Sequence, residues 1–267
     1  MFTPKQIEVK KAYLTMLLTL EDVSVSADKM QNVSNDSDGL LSYFRNFKFL
    51  VITLTNLYDN LNLIERALNK LGFKGSKISS LRKDLEFIKH MRNKGVGHLD
   101  EQLIEKSIQW QPTLFNQEVK GNIIPSTIFA NIALLELAIN SFVSESGEHK
   151  IFSSVIDFVS PKDFSEITEH MLLISQHCAD YMAPRLQFLE DNIKYYEEKD
   201  MLHTSSIAGN TDFDLKTPVD YSFDKPDSLK RLKDGFDKCL DLIETDEERE
   251  KAKDYFENHI LKSLSND

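Results

Sequence analysis

Residues 40–71 form the most hydrophobic stretch of this chain, and they constrain its fold more than any other feature. Apolar side chains recur there at helical spacing, yet they cover more than one face of the helix that this spacing predicts. A helix that is apolar nearly all round belongs in the centre of a bundle, where other helices cover it on several sides. The side chains concerned are Tyr43, Phe44, Phe47, Leu50, Val51, Leu54, Leu57, Tyr58, Leu61, Ile64 and Leu68.

The remaining segments also have the pattern of helices joined by polar connections. A first helix begins at Thr3-Pro4, because a capping residue is followed by proline at the first helical position. We expect it to end near Val23, where a segment rich in Ser, Asn and Asp follows. Its apolar residues at roughly helical spacing are Ile7, Tyr13, Leu14, Leu17 and Leu18.

Further helices are expected over residues 79–92, 125–142 and 161–199, with residues 104–124 as an irregular connection. The chain has only 9 glycines and 7 prolines, which disfavours a turn-rich β architecture, and no stretch shows the alternation of a strand. The prediction is an all-α protein: a helical bundle with long central apolar helices over residues 1–200, a polar linker over 201–226 and a C-terminal helical appendage, a pair of helices over 227–267.

Charge is distributed unevenly along the chain. The formal net charge is -11, but residues 66–98 contain nine Lys and Arg against two acidic residues. This basic island fits a polyanionic ligand, although solvated lysines on a helix surface are the commoner cause of such runs.

Two cysteines, Cys178 and Cys239, are too few for a disulfide framework or a zinc site. No stretch looks both long enough and uncharged enough to span a bilayer. These features favour a cytoplasmic protein with no membrane partner.

The basic island ends in the segment Arg92-Asn93-Lys94-Gly95-Val96-Gly97-His98, which carries the clearest chemical signal. A guanidinium stabilises the charge of a phosphoryl group through two parallel hydrogen bonds. An imidazole moves the proton of a hydroxyl near neutral pH. The glycines on either side of Val96 predict a tight turn that separates Arg92, in the last turn of a helix, from His98.

An arginine, a polar residue and a histidine after a short gap, inside a helical bundle, resemble the motif of the HEPN superfamily. The segment is most similar to HEPN proteins of abortive-infection and toxin–antitoxin systems. The resemblance implies a metal-independent endoribonuclease, without a cofactor, that acts in bacterial defence or growth arrest. It also implies that His98 moves the proton of the ribose 2′-hydroxyl or of the leaving oxygen, that Arg92 stabilises the phosphorane, and that Asn93 orients the phosphate or the histidine.

The resemblance further implies a homodimer in which two motifs face each other, with RNA as substrate and an antitoxin protein as a possible partner. The surrounding cations would steer the RNA phosphates. They are Arg82, Lys83, Lys89 and Lys94.

Two alternatives stay open at the level of sequence. The same groove could belong to a catalytically inactive helical module that binds a protein or a nucleotide. The Arg92 and His98 pair could instead be an ordinary basic helix end in a structural oligomer. A second cluster, Glu166, His170 and His177, has the spacing of metal ligands on one helix edge, but we read it as the border of the core and predict no metal.

Overall fold

The computed structural model describes residues 3–75, 78–97, 100–196, 201, 225–241, 243 and 245–261. The chain divides into two compact units, Met1–Ile193 and Lys194–Asp267. The described residues contain helices and no strand, apart from one isolated bridge between Val143 and His149, so the prediction of an all-α protein is confirmed.

The described residues of the first unit form six α-helices. They are α1 (Pro4–Gln31), α2 (Ser37–Leu71), α3 (Ser79–Met91), α4 (Glu101–Trp110), α5 (Ile123–Asn140) and α6 (Pro161–Asn192).

Helix α2 lies at the centre of the first unit, as its apolar sequence predicts, and it contacts α1, α3, α5 and α6. It begins where the Asp36 carboxylate accepts a hydrogen bond from Gly39 N–H at 2.7 Å. It ends at Gly72, whose positive φ of 82° suits a residue without a Cβ. Its largest buried side chains are Tyr43, Phe44, Phe47, Leu50, Leu54, Leu57, Leu61, Ile64 and Leu68.

Helix α1 is longer than the sequence predicts, because it continues past Val23 to Gln31. Most polar residues of its last two turns face outward, while the core-facing positions are still occupied by Val23, Ser26 and Met30. The apolar residues noted for their helical spacing do not form the buried face. The buried positions include Val9, Ala12 and Met16, whereas Ile7, Leu14, Leu17 and Leu18 are exposed.

The connection expected over residues 104–124 is partly helical. Asp100 accepts a hydrogen bond from Leu103 N–H at 3.1 Å and so caps α4, a helix that the sequence analysis did not predict. Two short 3₁₀ turns follow, Pro112–Phe115 and Gln117–Val119, before α5 begins. Helix α6 ends at Asn192, earlier than the predicted 199, and residues 197–200 lie outside the described part of the chain.

Among the described residues, α5 is long and apolar enough to cross a membrane by length and composition, contrary to the expectation that no stretch would be. In this structure it contacts α2, α4 and α3. The carboxylate of its buried Glu136 accepts hydrogen bonds from Phe158 N–H at 2.7 Å and from Gln111 Nε2 at 2.8 Å. These contacts are those of a helix in a bundle.

The second unit contains α7 (Lys225–Leu240) and α8 (Asp246–Tyr255), and α8 continues as a π-helical turn over Phe256–Leu261. The rings of Phe236 and Phe256 stack in parallel with centroids 3.9 Å apart, which joins the two helices. Thr245 caps α8 by accepting from Glu248 N–H. The predicted linker over residues 201–226 lies almost wholly outside the described residues.

Candidate functional site

Helix α3 does not break at the glycines but continues as a single π-helical turn over Arg92–Val96, which we call the Arg92 turn. The N–H of Gly97 donates to the carbonyl of Arg92 at 2.8 Å, the five-residue spacing that defines a π-helix. Gly97 has a φ of -84°, an ordinary helical value, and Gly95 does not have a positive φ either. The predicted glycine break is therefore wrong, and these glycines serve a purpose other than left-handed geometry.

Gly95 is buried where the Arg92 turn packs against α5. A Cβ built on Gly95 would lie 3.0 Å from Cβ of Ala138 and 3.5 Å from the carbonyl oxygen of Leu134. Real Cβ contacts are rarely that short, so the absence of a side chain lets the two backbones approach. The close approach fixes the position of the turn on the bundle.

The side chain of Arg92 folds back over Gly97. A Cβ on Gly97 would lie 2.8 Å from Nε and 3.0 Å from Cδ of Arg92. The guanidinium is also held from the other side, because its Nη1 donates to Oδ1 of Asn93 at 3.2 Å. Arg92 is half-buried and Asn93 is exposed, so the structure brings these two predicted residues together at the surface.

His98, the third predicted residue, lies outside the described part of the chain. It is bonded to Gly97, and consecutive Cα atoms are about 3.8 Å apart. The residue against which Arg92 packs is thus the immediate chain neighbour of His98.

An ion pair between Lys94 and Asp100 connects the Arg92 turn to the residue that precedes α4. The Lys94 Nζ atom lies 2.9 Å from Asp100 Oδ2, and the N–H of Asp100 donates to the Lys94 carbonyl at 3.4 Å. The hydrogen bond from Lys94 is the main cause that lowers the pKa of Asp100 below its usual range. Lys94, predicted to bind RNA, is therefore paired with an acid of its own chain.

The other cations predicted to bind RNA are spread along α3. Lys89 Nζ lies 4.6 Å from the centroid of the Tyr58 ring, and Arg82 donates to the side chain of Asn62. Lys83 is exposed. Ten residues separate Arg82 from Arg92, a rise of about 15 Å along the helix. At about 100° per residue, Arg82 and Lys89 lie toward the side of Arg92, whereas Lys83 lies on the opposite side of the helix.

His90, which precedes the turn, lies in a cluster of rings that the sequence analysis did not identify. Its Nε2 atom is 2.9 Å from Ser141 Oγ and 3.1 Å from the Ala138 carbonyl. Burial is the main cause that lowers its pKa, which keeps the imidazole neutral near neutral pH. The contacts join residues about 50 positions apart, so no local pattern could have revealed them. The other rings of the cluster are Phe87, Phe142, His149, Phe152 and His170.

The potential metal ligands on α6 are not arranged as a metal site. His177 Nδ1 lies 3.1 Å from Asp84 Oδ2 on α3. The ring of His170 lies between those of Phe87 and Phe152, and its buried Nε2 has no hydrogen-bond partner in the described structure. Within the described ranges, no group of three His, Cys, Asp or Glu side chains is placed to hold a metal ion.

An open groove of about 490 Å³ lies between α2 and the first half of α5. Lys48, on α2, donates from Nζ to Oδ1 of Asn131 on α5 at 2.6 Å, and burial lowers the pKa of Lys48. Leu134 lines the groove, and its carbonyl oxygen lies 3.5 Å from the position of a Cβ on Gly95. A charged side chain, Lys48, within the most apolar part of the segment 40–71 was the available sequence signal for this polar position.

Comparison with protein-family models, with curated proteins and with solved structures finds no match to this chain.

Proposed function

We propose that this protein is a metal-independent endoribonuclease of the HEPN type that acts in bacterial defence or growth arrest. The observation that supports it most is the placement of the Arg92 side chain over Gly97, the residue bonded to His98. The guanidinium proposed to bind phosphate therefore packs on the residue that immediately precedes, in sequence, the residue proposed to transfer the proton. A π-helical turn at this point is also typical of functional sites.

The reaction begins with the ribose 2′-hydroxyl of RNA. His98 takes the hydroxyl proton, the 2′-oxygen forms a bond to the adjacent phosphorus, and the bond from phosphorus to the 5′-oxygen breaks. The leaving oxygen receives a proton, and the products are a 2′,3′-cyclic phosphate and a free 5′-hydroxyl. DNA has no 2′-hydroxyl and is not cleaved.

Arg92 stabilises the extra negative charge on the pentacoordinate phosphorus. Asn93 positions the guanidinium through its Oδ1 and has an amide N–H₂ to donate to a phosphate oxygen. A homodimer with two facing turns, as the HEPN resemblance implies, supplies a second histidine for the leaving oxygen.

The cations along α3 bind the phosphates on either side of the cleaved bond. The exposed Lys83 and the half-buried Arg82 and Lys89 supply charge without occupying the reacting position. Because the whole chain carries -11, binding depends on this local concentration of positive charge and weakens steeply as salt is added.

The experiment is incubation of the purified protein with total tRNA and a mixed RNA pool in EDTA. The wild type should cleave RNA and leave cyclic-phosphate ends, while His98→Ala and Arg92→Ala should not. Arg92→Lys keeps the charge but cannot donate the two parallel hydrogen bonds of a guanidinium, so its activity should be little higher than that of Arg92→Ala. Arg45→Ala, which removes an exposed arginine from α2, is the matched control and should cleave like the wild type.

Cleavage by His98→Ala at the wild-type rate would reject this mechanism, as would a requirement for a divalent metal. Intact RNA in every reaction would favour the alternative, a catalytically inactive module that binds a protein or a nucleotide. That alternative has its own support in an exposed apolar region around the N-terminus of α5. It includes Trp110, Phe115, Ile123 and Ile124.

A further inference from the structure

A concave surface rich in positive charge lies between the start of α1 and the end of α2. Its volume is about 510 Å³, and the cations that line it are Lys11, Arg66 and Lys70. One acid, Glu8, lines it as well, so this surface has a formal charge of +2 in a chain whose total is -11. We call it the basic pocket.

Glu8 holds two of these cations. Its Oε1 atom lies 3.6 Å from Nε of Arg66, and its Oε2 atom accepts a hydrogen bond from Nζ of Lys70. The hydrogen bond from Lys70 is the main cause that lowers the pKa of Glu8 below its usual range, and the charges of Arg66 and Lys11 act in the same direction. All three cations therefore lie close to one carboxylate, which can neutralise only one of them.

The cations of the basic pocket are accessible to a ligand. The side chains of Arg66 and Lys70 are 68% and 51% exposed, whereas that of Glu8 is only 18% exposed. Lys11 is exposed too. Ion pairs as exposed as these contribute little to stability. Glu8 therefore places the cations, and an anion with more charge than one carboxylate can still bind them.

Few acids surround the basic pocket. Residues 3–14 and 62–74, which include all of its charged groups, contain six Lys and Arg and only two acids, Glu8 and Glu65. Glu65 is engaged with α6, where its Oε1 atom accepts a hydrogen bond from the hydroxyl of Tyr181 at 2.6 Å. The local charge therefore attracts anions, although the chain as a whole repels them.

Two cations of α3 lie between the basic pocket and the Arg92 turn. Asn62 precedes Arg66 by about one turn of α2, and its side chain accepts a hydrogen bond from Arg82. Lys89 lies seven residues further along α3, on nearly the same side of that helix. Positive charge therefore recurs from the basic pocket to the Arg92 turn over roughly 20 Å, the rise of one turn of α2 and ten residues of α3.

We propose that the basic pocket is a second binding site for a single strand of RNA, which it holds by phosphates roughly 20 Å from the cleaved bond. RNA as the ligand rests on the proposed function, and the pocket adds a contact away from the reacting phosphate. A strand fits better than a compact anion, because it carries a phosphate at every nucleotide and so meets cations spread across the surface. Contacts to phosphates alone read no base sequence.

Equilibrium binding of a strand that cannot be cleaved tests the pocket separately from catalysis. The probe is a fluorescent oligoribonucleotide of about 12 nucleotides, a usual length for single-strand sites, with 2′-O-methyl groups in place of the nucleophile. In anisotropy titrations, the double variant Lys11→Gln and Arg66→Gln should raise the dissociation constant about 10-fold. The slope of log affinity against log salt should fall by about 1.4, because two phosphate contacts are lost.

The matched control is the double variant Lys29→Gln and Arg45→Gln, which removes one exposed cation from each of the same two helices outside the pocket. It should bind the probe nearly as the wild type does. An equal loss in both double variants would overturn the proposal, because net charge alone would then govern binding. A wild type that does not bind the probe would overturn it as well.

Glu8→Gln should have the opposite effect. Glutamine keeps a carbonyl oxygen that can accept from Lys70, but it removes the negative charge that competes with the phosphates. The variant should bind the probe about threefold more tightly, and the slope of log affinity against log salt should steepen by about 0.7. An unchanged or weaker affinity would place the phosphates elsewhere and overturn the proposal.

Cleavage assays separate this site from the ribonuclease mechanism. If the wild type cleaves RNA, the Lys11 and Arg66 double variant should raise KM about 10-fold and leave kcat near the wild-type value, because the pocket binds away from the reacting phosphate. A fall in kcat at unchanged KM would overturn the proposal. Probe binding that depends on the pocket, in a wild type that cleaves no RNA, would reject the ribonuclease and support the basic pocket as an RNA-binding site.

Discussion

The Nζ atom of Lys94 lies 2.9 Å from Oδ2 of Asp100, and this ion pair joins the Arg92 turn to the residue that precedes α4. The other oxygen of the same carboxylate accepts from Leu103 N–H and caps α4. Asp100 therefore ties the Arg92 turn to the start of the next helix. In the proposed ribonuclease, Asp100 would compete with RNA phosphates for the positive charge of Lys94.

Asp100→Asn should strengthen RNA binding, because an asparagine still caps α4 but no longer neutralises Lys94. With one more cation available to a single strand, the slope of log affinity against log salt should steepen by about 0.7. Filter binding with the His98→Ala background, which does not cleave, measures this slope. Asp38→Asn removes one exposed charge from the start of α2 and should leave the slope unchanged; an equal change in both variants would mean that net charge alone is responsible.

Gly97→Ala should reduce RNA cleavage by about 10- to 100-fold, because the new methyl group would displace the Arg92 side chain from its position. The backbone at Gly97 is helical and accepts alanine without strain, so the melting temperature should change little. Single-turnover cleavage rates and thermal unfolding together measure the two effects. The control is Gly235→Ala in α7, where a Cβ meets nothing within 4 Å and activity should stay at the wild-type level.

Gly95→Ala should destabilise the first unit by about 1 to 3 kcal/mol, the usual cost of an additional group in a packed interface. The methyl group would lie 3.0 Å from Cβ of Ala138. Ala138→Gly removes the opposing methyl group, so the double variant should be more stable than the sum of the single effects predicts. Urea unfolding of the four proteins gives this coupling energy, and strictly additive effects would show that the two residues do not meet.

The stability of the first unit should decrease between about pH 5 and pH 8 because of Glu136. Burial is the main cause that raises the pKa of this side chain to about 7, and nearby Asp157 contributes in the same direction. Because the folded state holds the proton of Glu136 more tightly than the unfolded state does, protonated Glu136 stabilises the folded state. This stabilisation is complete below pH 4.5, the ordinary pKa, and is lost as the pH rises through 7. The loss is on the order of 3 kcal/mol for a shift of this size.

Glu136→Gln should remove this part of the pH dependence, because glutamine keeps an acceptor for Phe158 N–H and cannot ionise. Urea unfolding at pH 5 and pH 8 compares the variant with the wild type. If both proteins lose the same stability over this range, another group causes the loss. Asp163→Asn, near the surface at the start of α6, serves as the control for removal of one acid.

The central helix of the fold could be predicted from sequence because its signal is local and strong. Residues 40–71 are apolar on several faces, and the observed α2 is Ser37–Leu71. Helix α1 was harder to predict, because it carries apolar residues on two opposite faces. Spacing identifies Ile7, Leu14 and Leu18 as one face of a helix, but only tertiary contacts show that Val9 and Met16 are the buried ones.

In the candidate site, sequence reasoning predicted that Arg92 would lie at the end of a helix, and α3 does end at Met91. It interpreted Gly95 and Gly97 as a break, because glycine commonly ends a helix in the left-handed conformation. The structure uses both for close contact, Gly95 with Ala138 and Gly97 with Arg92. The contact of Gly95 depends on a partner helix, and that of Gly97 depends on the π-helical turn, so neither follows from the spacing of the motif alone.

The packing of α1 against both α2 and α6 also affects how the chain is made. Helix α2 follows α1 directly, but α6 ends only at residue 192, so the ribosome must add about 160 more residues after α1 is complete. At 5 to 20 residues per second this takes on the order of ten to thirty seconds. During that interval the α6-facing side of α1 has no partner within its own chain, which makes the nascent first unit a natural client for chaperones.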